Sequence, residues 1–272
     1  MIKLFTTATM ALILTASCKS GLVTMTNGCY NKVAAAEDAN KAGNYTAALE
    51  GFTYVLEKCN AYDAKEKAYA GKAKALNGLK QYEAAYEAAM LGNKIKQNSV
   101  PVLFEQAVAE LGMNKKQAAK NTFTQLIDIT KRNQNVAERA ILIAKVAEIN
   151  TQLGNFNDAQ QYIDDAITAN PNNIDFYLLK ADAYNANNEF LNAYKTLQTV
   201  QKKFSNNTNI VTAKVQTVVK QYQQKYNVST MQALGKKLSN DEKSKVCAEI
   251  VAGKKAGMKD INIDLLQLEI CK

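Results

Sequence analysis

A short pattern recurs along this chain and limits what it can fold into: a turn residue, Asn or another polar residue, an aromatic, two residues, then Ala. Gly43-Asn44-Tyr45 leads to Ala48, Lys80-Gln81-Tyr82 to Ala85, Gly154-Asn155-Phe156 to Ala159, and Asn188-Glu189-Phe190 to Ala193. A degenerate copy has Lys116 in the aromatic place, leading to Ala119. Lys116 lies 34 residues after Tyr82, and Phe190 lies 34 after Phe156. Such a unit cannot bury its apolar face alone, so successive copies must stack and share a core. The spacings of 37 between Tyr45 and Tyr82 and 40 between Lys116 and Phe156 predict loops three and six residues longer.

Composition says which elements stack. With two Pro, 12 Gly and 47% hydrophobic residues in 272, the chain lacks the turn formers of a β-sandwich and reads as all-α. It has no His, the commonest general base and the usual partner of a Ser or Cys nucleophile. Carboxylates such as Asp164-Asp165 fall on helical positions left to solvent, and no Gly-rich loop precedes a Lys-Ser/Thr pair. No enzyme, metal site or cofactor is expected.

The 34-residue period with this core resembles the tetratricopeptide repeat (TPR). The resemblance implies a right-handed α-solenoid of about five helix pairs over residues 29–205, with a partial sixth repeat and a helical cap over 206–272. Against the family pattern, Ala36, Ala48, Phe52 and Val55 of the first copy fall on packing positions, as do Leu103, Ala107, Phe123 and Leu126 of the third. Ile143, Ala147, Ala159 and Ile163 of the fourth and Ala181, Ala193, Leu197 and Val200 of the fifth do the same. Gly43, Gly154 and Asn187-Asn188 stand where the first helix of a pair must reverse, a place for left-handed backbone. Beyond the fifth copy, a helix is expected over 209–226. Ser239-Asn240-Asp241-Glu242 fits a capping box, and a last helix over 263–271 carries Leu265, Leu266, Leu268 and Ile270.

The N-terminus reads as a targeting signal. Lys3 precedes an apolar run from Leu4 to Leu14, too short to span a bilayer, and Thr15-Ala16-Ser17 leads to Cys18. This resembles a bacterial lipobox in the looser form of the Bacteroidota, which implies a signal peptide over 1–17, acylation at Cys18 and a linker over 18–28. An ordinary secretory signal is the alternative. Lys19-Ser20-Gly21-Leu22, with no acidic residue, favours the periplasmic face of the outer membrane over the cell surface. The net charge of +9 then does not imply nucleic acid as a partner, and the scattered lysines read as a solvated surface.

Setting Cys18 aside, four cysteines remain, one pair towards each end of the chain. Placed on the repeat, Cys29 opens the first helix of copy one and Cys59 closes the second, which are neighbours in an antiparallel hairpin. A Cys29–Cys59 bridge would contribute about 3–4 kcal/mol through loop closure. Cys247 and Cys271 would tie the last helix to the one before it. Four free thiols are the alternative.

The family's groove positions map to Val33, Glu37, Ala70, Lys74, Asn77, Phe104, Val108, Leu111, Ala144, Glu148, Gln152, Leu178, Asp182 and Asn185. The clamp by which the best-known groove holds a C-terminal carboxylate is absent, since its places hold Val33, Glu37, Ala70, Lys74, Phe104 and Val108. The resemblance therefore implies a lipid-anchored scaffold that binds protein segments, in β-barrel assembly or secretion machinery of the outer membrane. The alternative is capture of glycan or peptidoglycan, for which Tyr30, Tyr62, Tyr177 and Tyr184 are the available stacking faces, Trp being absent.

Overall fold

The computed structural model describes residues 26–132, 135–205 and 207–271. The signal peptide, Cys18 and the linker as far as residue 25 lie outside them. The described residues form α-helices and one short 3-10 turn, and the chain divides into two compact units at Gly112/Met113.

The first unit runs through α1 (Asn27–Lys41), α2 (Tyr45–Lys58), α3 (Tyr62–Gly78), α4 (Tyr82–Ile95) and α5 (Val100–Gly112). Helix α1 starts at Asn27, two residues earlier than expected, because the Thr26 hydroxyl accepts a bond from the Cys29 amide. Its core holds Val33, Ala36, Ala48, Phe52, Val55 and Ala64, all buried. Cys29 and Cys59 stand at disulfide distance, with Cα atoms 6.0 Å apart.

Close approach in this unit depends on missing side chains. A Cβ on Gly78 would lie 2.5 Å from the Tyr45 ring, and one on Gly112 would lie 2.1 Å from the Tyr82 ring. The motif aromatic of one repeat thus rests on a bare stretch of the next repeat's first helix. Beside these contacts, Asn40 Nδ2 donates to Gly71 O and Asn77 Nδ2 to Glu105 O, both at 2.9 Å, bridging α1 to α3 and α3 to α5.

The second unit comprises α6 (Lys116–Ile129), a 3-10 turn (Thr130–Arg132), α7 (Val136–Gln152), α8 (Phe156–Ala169), α9 (Ile174–Ala186), α10 (Phe190–Lys203), α11 (Thr208–Tyr226), α12 (Met231–Lys237), α13 (Asn240–Lys255) and α14 (Ile261–Ile270). Ala147, Ala159, Ile163 and Ala166 are buried, as are Ala181, Ala193, Leu197 and Val200. Asn185 Nδ2 donates to Thr217 Oγ1 at 2.9 Å, repeating the bridge between first helices.

Gly43, Lys80, Asn114, Gly154 and Asn188 all have positive φ, from 59° to 78°, so the same left-handed backbone follows the first helix of each of five copies. Most of the extra residues of the longer repeats extend a helix rather than a loop; of the six in the 40-residue spacing, two fall in the α6–α7 connection. Helices α3 and α7 have 17 residues where α5 and α9 have 13, one turn more. A whole turn of about 3.6 residues returns the apolar stripe to the same side, so lengthening the helix preserves its buried face.

The division at Gly112/Met113 falls inside the stretch read as one solenoid over 29–205, and it falls in the copy that lacks the motif aromatic. Helix α12 was not expected; the Thr230 side chain caps it by accepting from the Ala233 amide. In the cap, Leu234, Val246, Ile250, Ile263, Leu266 and Ile270 are buried against Val215 and Val219. Leu265 and Leu268 of the last helix are exposed to solvent. The Asp260 carboxylate caps α14 through the amides of Asn262 and Ile263, so the helix begins at Ile261. Cys247 and Cys271 also stand at disulfide distance, with Cα atoms 5.4 Å apart.

The expected capping box is present: Ser239 and Glu242 bond reciprocally at the start of α13. Glu242 also accepts from Lys225 Nζ at 2.5 Å and Tyr226 OH at 2.6 Å. Bonds from Lys225, Tyr226 and the Ser239 amide hold its carboxyl at about 2, below the ordinary 4.5.

Two outcomes follow for stability. Gly112→Ala should lower unfolding free energy by about 1–3 kcal/mol in urea titration through overpacking against Tyr82, whereas Gly28→Ala, with nothing within 4 Å, should not. Glu242 binds its proton more weakly folded than unfolded, so its contribution is complete above pH 4.5 and is lost as pH falls towards 2. Chemical denaturation across that window should show a smaller acid-induced loss for Glu242→Gln than for the unsubstituted chain.

Candidate functional site

The second unit contains a groove of about 670 Å³ along α7, α9 and α11, the first helices of three successive pairs. Glu148, Thr151 and Gln152 come from α7; Leu179, Asp182, Asn185 and Ala186 from α9; Lys220, Gln223 and Gln224 from α11. Asn188 and Phe190 close one end at the α9–α10 turn. Helical periodicity explains the set, since residues three or four apart share a face.

The groove is rich in uncharged hydrogen-bonding groups, with few charges. Gln152, Asn188 and Gln224 offer amide donors and acceptors, and Gln223 does so less one donor, since its Nε2 donates to Ser229 O at 3.0 Å. Glu148 pairs with Lys145 at 2.8 Å. Asp182 is solvent-accessible, yet partial burial of its carboxyl raises its pKa, with Lys220 across the groove opposing the shift. Carboxylate, ammonium and amides side by side suit a peptide backbone. Among the described residues, no group of three or more His, Cys, Asp or Glu could hold a metal ion.

The mapped positions divide. Glu148, Gln152, Asp182 and Asn185 line this groove. Leu178 is half-buried and packs into the core beside Ala181 and Leu197, leaving Leu179 to face the groove. Asn185 commits its amide donor to Thr217, and Asn77 commits its own to Glu105, so both are buried packing residues rather than free recognition groups. In the first unit, Val33 and Ala70 are buried and present no side chain to a ligand. Lys74 is exposed, while Glu37, Phe104, Val108 and Leu111 are half-buried. Burial raises the pKa of Glu105 beside them, against the Asn77 bond and the Lys74 charge. A separate apolar hollow of about 370 Å³, lined by Leu49, Tyr69, Leu76, Ala88 and Leu91 among others, lies on α2, α3 and α4, where no sequence signal pointed.

Sequence reasoning missed Lys220, Gln223 and Gln224. The signal was available, because residues 209–226 read as the first helix of a sixth copy, and carrying the groove onto that helix reaches them.

Residues 151–216 match the tetratricopeptide repeat family. No curated protein matches the chain. A crystal structure of a tetratricopeptide repeat protein from Parabacteroides merdae is similar over 91% of this chain and all of its own, at 13% identity and a TM-score of 0.60. Pseudomonas aeruginosa PilF is similar over 89% of this chain and 97% of its own, at 12% identity and a TM-score of 0.61. YrrB, described as a TPR protein with an unusual peptide-binding site, is similar over 67% of this chain and 90% of its own, at 11% identity and a TM-score of 0.51.

Replacing Lys220 with Met removes the charge that opposes the shift at Asp182, so the Asp182 carboxyl should titrate at still higher pH in an NMR titration of side-chain carboxyl carbons. The chain has the fold of tetratricopeptide-repeat proteins, and its sequence matches that repeat over residues 151–216.

Proposed function

We propose that this chain is a lipid-anchored periplasmic scaffold that holds an extended segment of a protein partner within an outer-membrane assembly or secretion complex. The observation that carries the reading is the amide-rich groove on α7, α9 and α11. An extended peptide leaves its backbone N–H and C=O groups unpaired, and Gln and Asn side chains offer partners for both. The peptide-binding site named for YrrB, a protein of similar fold, supports the same use. The lipobox-like approach to Cys18 supports the anchor, and two cysteine pairs at disulfide distance fit an oxidising compartment. Nothing in the groove favours glycan: Tyr30, Tyr62, Tyr177 and Tyr184 are not among its lining residues, and Tyr177 packs against Phe204.

The test is mild detergent extraction of native membranes with a C-terminal tag, followed by mass spectrometry. A β-barrel or secretion subunit should co-purify in stoichiometric amount from the unsubstituted chain and be lost with Lys220→Glu and Gln223→Lys, at unchanged melting temperature. Recovery of the chain alone, or retention of the partner by the groove variant, would overturn the scaffold reading. Metabolic palmitate should label the chain and fail to label Cys18→Ala; equal labelling would overturn the anchor.

A further inference from the structure

The charge excess of this chain is confined to one stretch. Residues 190–240 hold eight lysines and no Asp, Glu or Arg, while the other 26 basic residues are balanced by the 25 acidic ones. That stretch runs from α10 to the start of α13.

The cap that follows exposes an apolar stripe. Ile261, Leu265 and Leu268 are 76%, 57% and 76% exposed, among the largest values for any bulky apolar residue described. Their spacings of four and three place them on one side of α14, opposite the buried Ile263, Leu266 and Ile270. The stripe continues into a hollow shared with α12, lined by Met231, Gln232, Leu265 and Leu268 among others.

Lysines lie on the two helices that pack beside α14. Helix α12, which carries Lys236 and Lys237, packs along α14, with Gly235 against Glu269 and Ile270. On the other side an ion pair between Lys254 and Asp264 brings the end of α13, with Lys255, beside α14. Glu269 is exposed and lines the hollow itself, so one acid stays on this face; the other acids nearby are engaged. Asp264 pairs with Lys254, Asp260 caps its own helix, Glu242 holds Lys225, and Glu249 holds Lys214 and Tyr194. Lys236, Lys237 and Lys255 are exposed.

We propose that the α12–α14 face docks on an anionic phospholipid surface, with Ile261, Leu265 and Leu268 entering the headgroup boundary and the flanking lysines meeting lipid phosphates. An exposed aliphatic stripe on a helix with a lysine rim is the pattern by which amphipathic elements lie on membranes, and clustered lysines near such a surface add electrostatic attraction. Charge complementarity selects this occupant over a second copy, because pairing two copies through α14 would bring two lysine-rich rims together. The inference rests on the reading that the chain works at a membrane, but it needs no acyl chain.

The experiment uses the full chain carrying Cys18→Ala, mixed with vesicles of phosphatidylcholine alone or with about 30 mol% phosphatidylglycerol, and reads co-sedimentation. Partitioning should be about tenfold stronger on the anionic vesicles and should weaken as salt rises. In the same background, Leu265→Ser with Leu268→Ser, and separately Lys236→Glu with Lys237→Glu, should each lower it several-fold, with helicity and melting temperature checked by circular dichroism. Equal partitioning of the variants, or no preference for anionic vesicles, would overturn the proposal. So would ultracentrifugation showing a dimer that the Leu265/Leu268 variant dissolves while vesicle binding stays the same. Loss of palmitate labelling with vesicle binding intact would overturn the anchor alone; the reverse would overturn this surface alone.

Discussion

The contact between a ring and a bare backbone sets the geometry of the first unit. Tyr45 over Gly78 and Tyr82 over Gly112 let the first helix of one repeat approach the hairpin before it more closely than a Cβ would allow. Such contacts are local in sequence, each joining residues about one repeat apart, so every repeat is fixed chiefly by its neighbour. The asparagine bridges from Asn40 and Asn77 work beside them and add direction to a packing that apolar area alone would leave free to slide. Their carbonyl oxygens, Asn40 Oδ1 and Asn77 Oδ1, are buried without a partner, a cost borne at both bridges.

The cap is held by a different chemistry. Glu242 gathers Lys225, Tyr226 and Ser239, while Glu249 gathers Tyr194 and Lys214. In the second cluster, burial and the adjacent carboxylate push the Tyr194 hydroxyl up to about 12, which keeps it protonated and able to donate across the physiological range. These clusters join α13 to α10 and α11, while Val246 and Ile250 supply the apolar contact beneath. The last repeat is thereby closed by a layer whose inner side is apolar and whose outer side is not wholly polar.

Much of this architecture was legible in the sequence because its determinants are short-range. The aromatic-to-Ala spacing, the left-handed turn residues and the Ser239–Glu242 box each span only a few residues, and each lies where it was expected. The inner faces were less legible. Asn77 and Asn185 occupy groove positions in the family pattern, but here their donors turn inwards to the adjoining helix, and such an orientation depends on partners about 30 residues away. Leu265 and Leu268 show the same difficulty from the other side: an apolar helix of ten residues does not announce which of its stripes is covered. Lys220 and Gln223 were overlooked because the repeat decays in α11 while its groove face persists.

The added turns in α3 and α7 give the chain a quantised way of varying length. A repeat can grow by a full turn and keep its buried face, whereas a change of one or two residues would swing that face towards solvent. The length of a first helix is therefore free to drift only in coarse steps, and each step shifts the register between sequence and period. Residues 151–216, which match the family, contain the pair of copies in which the motif aromatic is kept and the 34-residue spacing holds, Gly154 to Asn188. Elsewhere the same fold continues with one or both of those signals altered, so resemblance in structure outlasts resemblance in sequence along a single chain.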